Sequence, residues 1–231
     1  YARNYDVLQA TMPFRKKIIF INNRDSVLAQ SAVRRGLNLI TDKSGLLEQA
    51  RIDGKKTHTT FSELSWAYVD GLDYLEYNPG DAAVEFEAAG YSKDEKTGFY
   101  ESEEGKILTL TLTYLENDLN NALAESIREM YEQEGVIIEL DPQGFEQMTK
   151  ETLATRDFEL LLYELEITTD PDQYNLWHSL KADYPNFNLS GYNYSRADIL
   201  LEEARESTDR QERMEDYEIL QRVLLLDSPV I

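Results

Sequence analysis

Residues 106–142 read KILTLTLTYLENDLNNALAESIREMYEQEGVIIELDP, and the fold depends on how this stretch is parsed. Leu108, Leu110, Leu112 and Tyr114 alternate with Thr109, Thr111 and Thr113. Period two, with β-branched residues on one face, is the pattern of a half-buried strand. From Leu119 the period changes. Leu119, Ala122, Leu123, Ile127, Met130 and Tyr131 fall at helical spacing among acids and amides. Gly135 stops the helix, because the residue after a last turn often takes positive φ. Val136, Ile138 and Leu140 resume the alternation, and Pro142 closes it. Strand, helix, strand over this length predicts two parallel strands joined by a right-handed crossover. The apolar run at 158–165, FELLLYEL, predicts a further strand of the same sheet. Leu110, Leu112, Ile127, Ile138, Leu160 and Leu162 are then predicted to be buried together.

Working outward, residues 1–15 are polar and irregular, and 17–22, KIIFIN, form a strand candidate. Ser31 is placed to cap a helix running to Ile40, and Asp42 a second helix running to Ile52. Residues 55–77 lack a period and carry Trp66, Tyr68, Tyr74 and Tyr77, which predicts a long loop packed by its aromatics. Asn78-Pro79 opens a helix ending at Gly90, with proline where its missing N–H costs nothing. Residues 92–105 predict an exposed turn or hairpin, 144–153 a helix and 174–177 a short helix. Ser195 caps a helix to Glu206, and Thr208 with Gln211 has capping-box spacing for the last one. Strands interspersed with helices predict the α/β class, a mixed sheet with flanking helices.

The chain has 231 residues, enough to bury a real core as one large domain or two small ones. Lys and Arg number 23 against 44 Asp and Glu, a formal charge of −21, which argues against nucleic acid and against an anionic membrane surface. There is no cysteine, hence no disulfide, thiolate nucleophile or cysteine-bound metal. No apolar run approaches the ~20 residues of a membrane span, and no signal peptide opens the chain. Both ends read as cut from something longer, so a targeting signal would lie outside this stretch.

Catalytic motifs are weak. His58 and His178 stand outside any constellation and read as surface or loop histidines. HExxH, a phosphate-binding lysine loop and GxGxxG are all missing. Asp94, Gly98, Glu101 and Glu104 resemble a calcium loop, but Lys96 stands where an oxygen ligand belongs. Glu101 with Glu103 has the makings of a glycosidase dyad, yet chance acid pairs abound in so acidic a chain. No catalytic residue, metal or cofactor is assigned. Two loops carry more. Residues 163–172 follow a strand's carboxyl end, where open α/β sheets bind ligands. Residues 188–194, NLSGYNY, offer amides, hydroxyls, a glycine for close approach and two tyrosines. The candidate ligand-binding residues are Tyr163, Glu164, Glu166, Thr168, Thr169 and Asp170, together with Asn188, Ser190, Gly191, Tyr192 and Asn193. Both loops are expected on one edge of the domain, with Tyr192 exposed as an apolar wall tipped by a hydroxyl.

Several segments, taken in order, resemble the family 5 extracellular solute-binding proteins, the peptide- and nickel-type receptors of ATP-binding-cassette importers. Val33-Arg34 with Leu37 and Asp42 resembles one helix of that family. Tyr77-Asn78-Pro79 through Ala82, Phe86, Ala89, Gly90 and Tyr91 resembles another. Leu108 to Tyr114 resembles its L-x-L-T-Y strand, and Glu134-Gly135-Val136 the step after the following helix. Asp157-Phe158 with Asp170-Pro171-Asp172, Ser190-Gly191-Tyr192 with Asp198 and Leu201, and Asp209, Arg213 and Pro229 extend the likeness over nearly the whole chain. Gly36 departs from the family's alanine. Glu164 and Ile167 stand where peptide-binding members often carry Trp and an Asp that meets a peptide's ammonium, so Glu164 or Glu166 would have to substitute.

The resemblance implies one lobe of a two-lobed, periplasmic-binding-protein-like fold of type II, in the peptide-binding cluster. Residues 1–231 would form the second, middle lobe, with 1–25 and 225–231 near the crossings between lobes. It implies binding without catalysis, and a peptide or other small solute as ligand. Its partners would be the importer's permease subunits and the remaining lobe. The setting would be extracellular or periplasmic, as a lipoprotein anchored at the cell surface. Two rival readings are a glycoside hydrolase-like enzyme with paired carboxylates and a non-transport sensor with the same fold.

Overall fold

A computed structural model describes residues 14–231. The expectations for residues 1–13 lie outside the described residues. In chain order the elements are β1 (Arg15–Ile21), α1 (Ser31–Leu39), α2 (Lys43–Gln49), α3 (Pro79–Ala88), β2 (Tyr91–Lys93), β3 (Tyr100–Ser102), β4 (Thr109–Leu115), α4 (Asp118–Glu134), β5 (Ile137–Gln143), α5 (Phe145–Gln147), β6 (Leu160–Glu166), α6 (Tyr174–Trp177), α7 (Ser195–Glu206) and α8 (Arg210–Asp227).

The β4–α4–β5 unit forms as its periodicity predicts. Asn117 caps α4 by accepting from the Asn120 N–H at 2.9 Å, and Gly135 ends it in the left-handed region at φ 99°. A Cβ there would lie 2.4 Å from the Gly98 carbonyl oxygen, so only glycine fits. β5 then pairs parallel with β4. β6 pairs parallel with β4 on its other side, and β1 pairs antiparallel with β6. The sheet order is β1-β6-β4-β5, a mixed sheet. One face buries Ile19, Ile21, Leu110, Leu112, Leu160 and Leu162 with Ile127, Ile138, Val33, Leu37, Phe86 and Tyr131. All six residues predicted to pack together do so. The other face buries Ile18, Phe20, Leu161 and Leu165 with Met148 and Leu189. A third cluster joins α7 and α8 to the aperiodic 55–77 segment through Phe61, Ala67, Leu200, Tyr217 and Leu220.

Register fixes which end of the sheet is which. β6 begins at Leu160 opposite Ile21 and ends at Glu166 opposite Arg15. The carboxyl ends of β4, β5 and β6 therefore share one edge with the start of β1. The closing residues lie along β1: Ile19 exchanges hydrogen bonds of 2.8 and 2.9 Å with Ile231, and the Ile21 N–H donates to the Pro229 carbonyl at 3.1 Å.

Four details differ from the sequence reading. Gln30 and Tyr194 are the N-cap positions of α1 and α7, neither capping through its side chain, so Ser31 and Ser195 are first helical residues. Asp209, rather than Thr208, caps α8, accepting from the Gln211 N–H at 2.7 Å. The 144–153 helix is a single α-turn that continues as a π-helix, Met148–Leu153. Asp42 and Asn78 cap α2 and α3 as read.

Candidate functional site

Residues 163–172 leave β6 at the shared carboxyl edge. Tyr163 is half-buried, while Glu164, Glu166, Thr168, Thr169 and Asp170 are exposed. The loop is fixed at both ends. The Ile167 N–H donates to the Phe14 carbonyl at 2.6 Å, and the Ile167 side chain is buried. Gln173 is buried, and its Oε1 accepts from Trp177 Nε1 at 2.8 Å and Thr60 Oγ1 at 2.5 Å. Within the loop Asp170 Oδ1 accepts from the Asp172 N–H, and Asp172 Oδ1 from the Tyr174 N–H, both at 3.0 Å. Pro171 packs inward. The result is a shelf held at both ends, with Thr168, Thr169 and Asp170 turned to solvent.

The charges on this edge are not equivalent. Glu164 already meets Lys17 at 3.1 Å and Arg15 at 3.5 Å, and Lys17 also donates to Asn120 Oδ1 at 2.8 Å. Asp172 takes a two-pronged contact from Arg205, with Nη2 2.6 Å from Oδ2. That contact, a charge-assisted hydrogen bond, holds the Arg205 guanidinium above its ordinary pKa. Arg205 also lies 3.9 Å over the Tyr174 ring. Glu166 and the second carboxylate oxygen of Asp170 are the better placed acceptors for an incoming group. Glu164 is the poorer of the two counter-charges that the sequence offered.

The second loop is not on this edge. The Asn23 N–H donates to the Ser190 carbonyl at 2.8 Å, and Asn23 follows the end of β1. That places 188–194 at the amino end of β6, about 20 Å from the shelf at ~3.3 Å per strand residue. Tyr192 is only 3% exposed, not exposed as expected; its ring packs edge-on to Trp177 and its hydroxyl donates to Asp227 Oδ2 at 2.6 Å. Burial, with Asp227 as acceptor, raises its pKa strongly. Asn188 and Ser190 are fully buried and Gly191 is buried; Asn193 alone of the five is exposed. The Asn188 amide donates to the Tyr192 carbonyl at 2.8 Å and the His178 carbonyl at 3.2 Å, and its oxygen accepts from the Tyr192 N–H at 3.0 Å. The polar groups that looked available for a ligand are consumed in fixing a turn.

His178 is likewise no surface histidine. It is 2% exposed, accepts from the Leu180 N–H at Nδ1, and places Nε2 3.1 Å from Glu202. Asp94 accepts from the N–H groups of Lys96 and Thr97, closing the β2–β3 hairpin turn. Sequence reasoning missed Lys16 and Gln173, both buried beside the shelf. The signal for Lys16 was present: it is in phase with Ile18 and Phe20 along β1, on a face that must be buried.

Comparisons with known proteins bear on the fold and the family. The oligopeptide-binding protein AppA of Bacillus subtilis (strain 168) is 24% identical over 213 residues, covering 90% of this chain and 39% of AppA. Its structure in complex with a nonapeptide superposes with a TM-score of 0.85, at 23% identity over 94% of this chain and 44% of that one. The probable D,D-dipeptide-binding periplasmic protein DdpA of Escherichia coli (strain K12) is 24% identical, over 94% of this chain and 40% of DdpA. NikZ from Campylobacter jejuni, solved in complex with Ni(L-His), superposes with a TM-score of 0.86 at 22% identity, over all of this chain and 46% of that one. The chain thus spans about two fifths of the curated relatives it matches. These relatives are binding proteins, and no helix among the described residues is long and apolar enough to cross a membrane. With a match over residues 2–209 to their middle region, the chain belongs to the bacterial extracellular solute-binding proteins of family 5.

Proposed function

We propose that this chain is the ligand-binding second lobe of an extracellular solute-binding protein that delivers a peptide or related small solute to an ATP-binding-cassette importer. It makes and breaks no bonds. Solute enters between two lobes, closure excludes water around it, and the permease subunits receive it. In the complete protein the lobe is tethered at the cell surface by a segment outside this stretch, with 14–25 and 225–231 near the crossings between lobes.

The observation that carries the reading is the family match together with the shelf at the carboxyl ends of β4, β5 and β6. β1 begins at that edge, and the closing run from Pro229 to Ile231 heads back toward it. A second lobe joined through these strands would face Thr168, Thr169 and Asp170. We place the ligand contacts on Tyr163, Glu166, Thr168, Thr169 and Asp170, and give residues 188–193 a structural role. A nonapeptide on AppA and Ni(L-His) on NikZ favour no single class, and the solute stays open among peptides, sugars and metal chelates.

The test is mass spectrometry of small molecules released by denaturing the full-length protein purified natively. A stoichiometric peptide or chelate is the expected result. An empty protein that also binds none of a random peptide pool, an oligosaccharide pool and Ni(L-His) by calorimetry would overturn the transport reading.

A further inference from the structure

We propose that Lys16 is a positioning residue for the ligand shelf: its side-chain amine holds residues 57–61 against β1, and that segment in turn holds the 167–173 loop. The inference rests on reading 163–172 as the ligand edge.

Alternation along β1 puts Lys16 on the same buried face as Ile18 and Phe20, and it is 9% exposed. Its Nζ has three acceptors within hydrogen-bond reach: Thr57 Oγ1 at 3.1 Å, the Thr59 carbonyl at 2.8 Å and the Phe61 carbonyl at 2.7 Å. All three are neutral oxygens on one segment that has no helix or strand of its own. Between the two carbonyl acceptors stands Thr60, whose hydroxyl donates to Gln173 Oε1 at 2.5 Å. Gln173 is the last residue of the shelf loop and also receives Trp177 Nε1. The exposed residues Thr168 to Asp170 are therefore suspended between two anchors. One is Ile167 on the main chain of Phe14. The other is Gln173, on a segment that Lys16 ties down. Without the Lys16 amine, a donor whether charged or neutral, the second anchor is loose.

The tie has a signature in pH. Burial lowers the Lys16 pKa to about 8 from 10.5; Glu63 opposes that shift and Lys55 adds to it. Those two groups, from the same 55–63 stretch, pair with each other at 2.7 Å. Glu164 and Glu166 flank Leu165, the register partner of Lys16, and by alternation lie on the opposite face. Gln173 and Trp177, packed beside the segment, carry no charge. When residues 57–61 swing away, water returns to the amine and its pKa recovers. Above pH about 8, opening thus takes up a proton, so rising pH favours the closed shelf until both forms are neutral.

Amide hydrogen exchange by mass spectrometry on the full-length, ligand-free protein tests this between pH 7.5 and 9.5, corrected for intrinsic rates. Protection of 57–61 and 168–173 should rise about twentyfold over that range, while α4 stays flat. In Lys16→Met, both segments should be less protected at pH 7.5 and the rise should vanish. A flat wild-type profile, or an equal rise in Lys16→Met, overturns the proposal. Should that variant not fold, Thr60→Val removes the hydroxyl that donates to Gln173 and accepts from Trp177 Nε1 at 3.3 Å, and leaves the Lys16 bonds in place. It should loosen 168–173 and leave the pH response of 57–61 intact, and unchanged exchange in 168–173 would be decisive against the brace. No ligand enters these measurements, so their failure is distinct from failure of the transport reading.

Discussion

A buried polar side chain in this protein is legible only through what it binds. Lys43, like Lys16, is pushed down to about 8 by burial, with its Nζ on Asn38 Oδ1 at 2.8 Å. Both amines have folded values below the 10.5 of an open chain. The unfolded state therefore binds more protons between pH 8 and 10.5, and stability should rise with pH through that window. Lysine Cε resonances should show two midpoints near 8, and midpoints near 10.5 for all lysines would refute the burial argument. Tyr192 gives a second prediction. Its hydroxyl bond to Asp227 is charge-assisted, so Tyr192→Phe should cost roughly 1.5–3 kcal/mol in urea unfolding. Tyr192→Ala should cost ~3–5 kcal/mol, the range for emptying an aromatic site in a core. A melting temperature unchanged by Tyr192→Ala would restore the exposed wall that the sequence suggested.

Elements were easier to read than sites, for a physical reason. The alternation from Leu108 to Tyr114 and the helical spacing from Leu119 to Tyr131 follow from burial, which one face of an element must satisfy along its length. They gave the crossover, its parallel partner and the third strand correctly. The capping errors at Ser31, Ser195 and Thr208 are shifts of one residue: Asp209 outcompetes Thr208 as acceptor, while α1 and α7 start one residue earlier with no side-chain cap. The 188–194 loop misled because amides, a glycine and tyrosines serve a chain's own turn as well as a ligand. Asn188 spends its side chain on the carbonyls of His178 and Tyr192, and composition carries no record of that choice. Nor does composition reveal that Arg15 and Lys17 have already claimed Glu164. At this scale Leu112→Ala, beneath α4, should cost roughly 2–5 kcal/mol through a cavity, and Ile127→Ala the same. Denaturant midpoints would check both; losses under 1 kcal/mol would mean that the β4–α4–β5 unit is not the core.

For the whole molecule, the consequence of sheet order is that the carboxyl ends of β4, β5 and β6 gather at one edge, where the proposed ligand contacts lie. Thr169 and Asp170 are exposed and contribute little to the fold, so Thr169→Ala and Asp170→Asn should each change stability by less than about 0.5 kcal/mol. In the full-length protein the pair should weaken binding of the co-purified solute about tenfold or more, as measured by calorimetry. Equal affinity in the double variant would move the site elsewhere on the lobe.

The pairing of Pro229–Ile231 with β1 also bears on biosynthesis. β1 leaves the ribosome before β6 and before Pro229–Ile231, and it needs β6 on one side and those residues on the other. Until Ile231 emerges, the N–H and C=O groups along one side of Ile19 and Ile21 lack their partners. An unfinished chain therefore presents an apolar edge strand of the kind that seeds aggregation. The lobe cannot complete its sheet vectorially, and a nascent chain stalled before Pro229 should remain a client for holding chaperones.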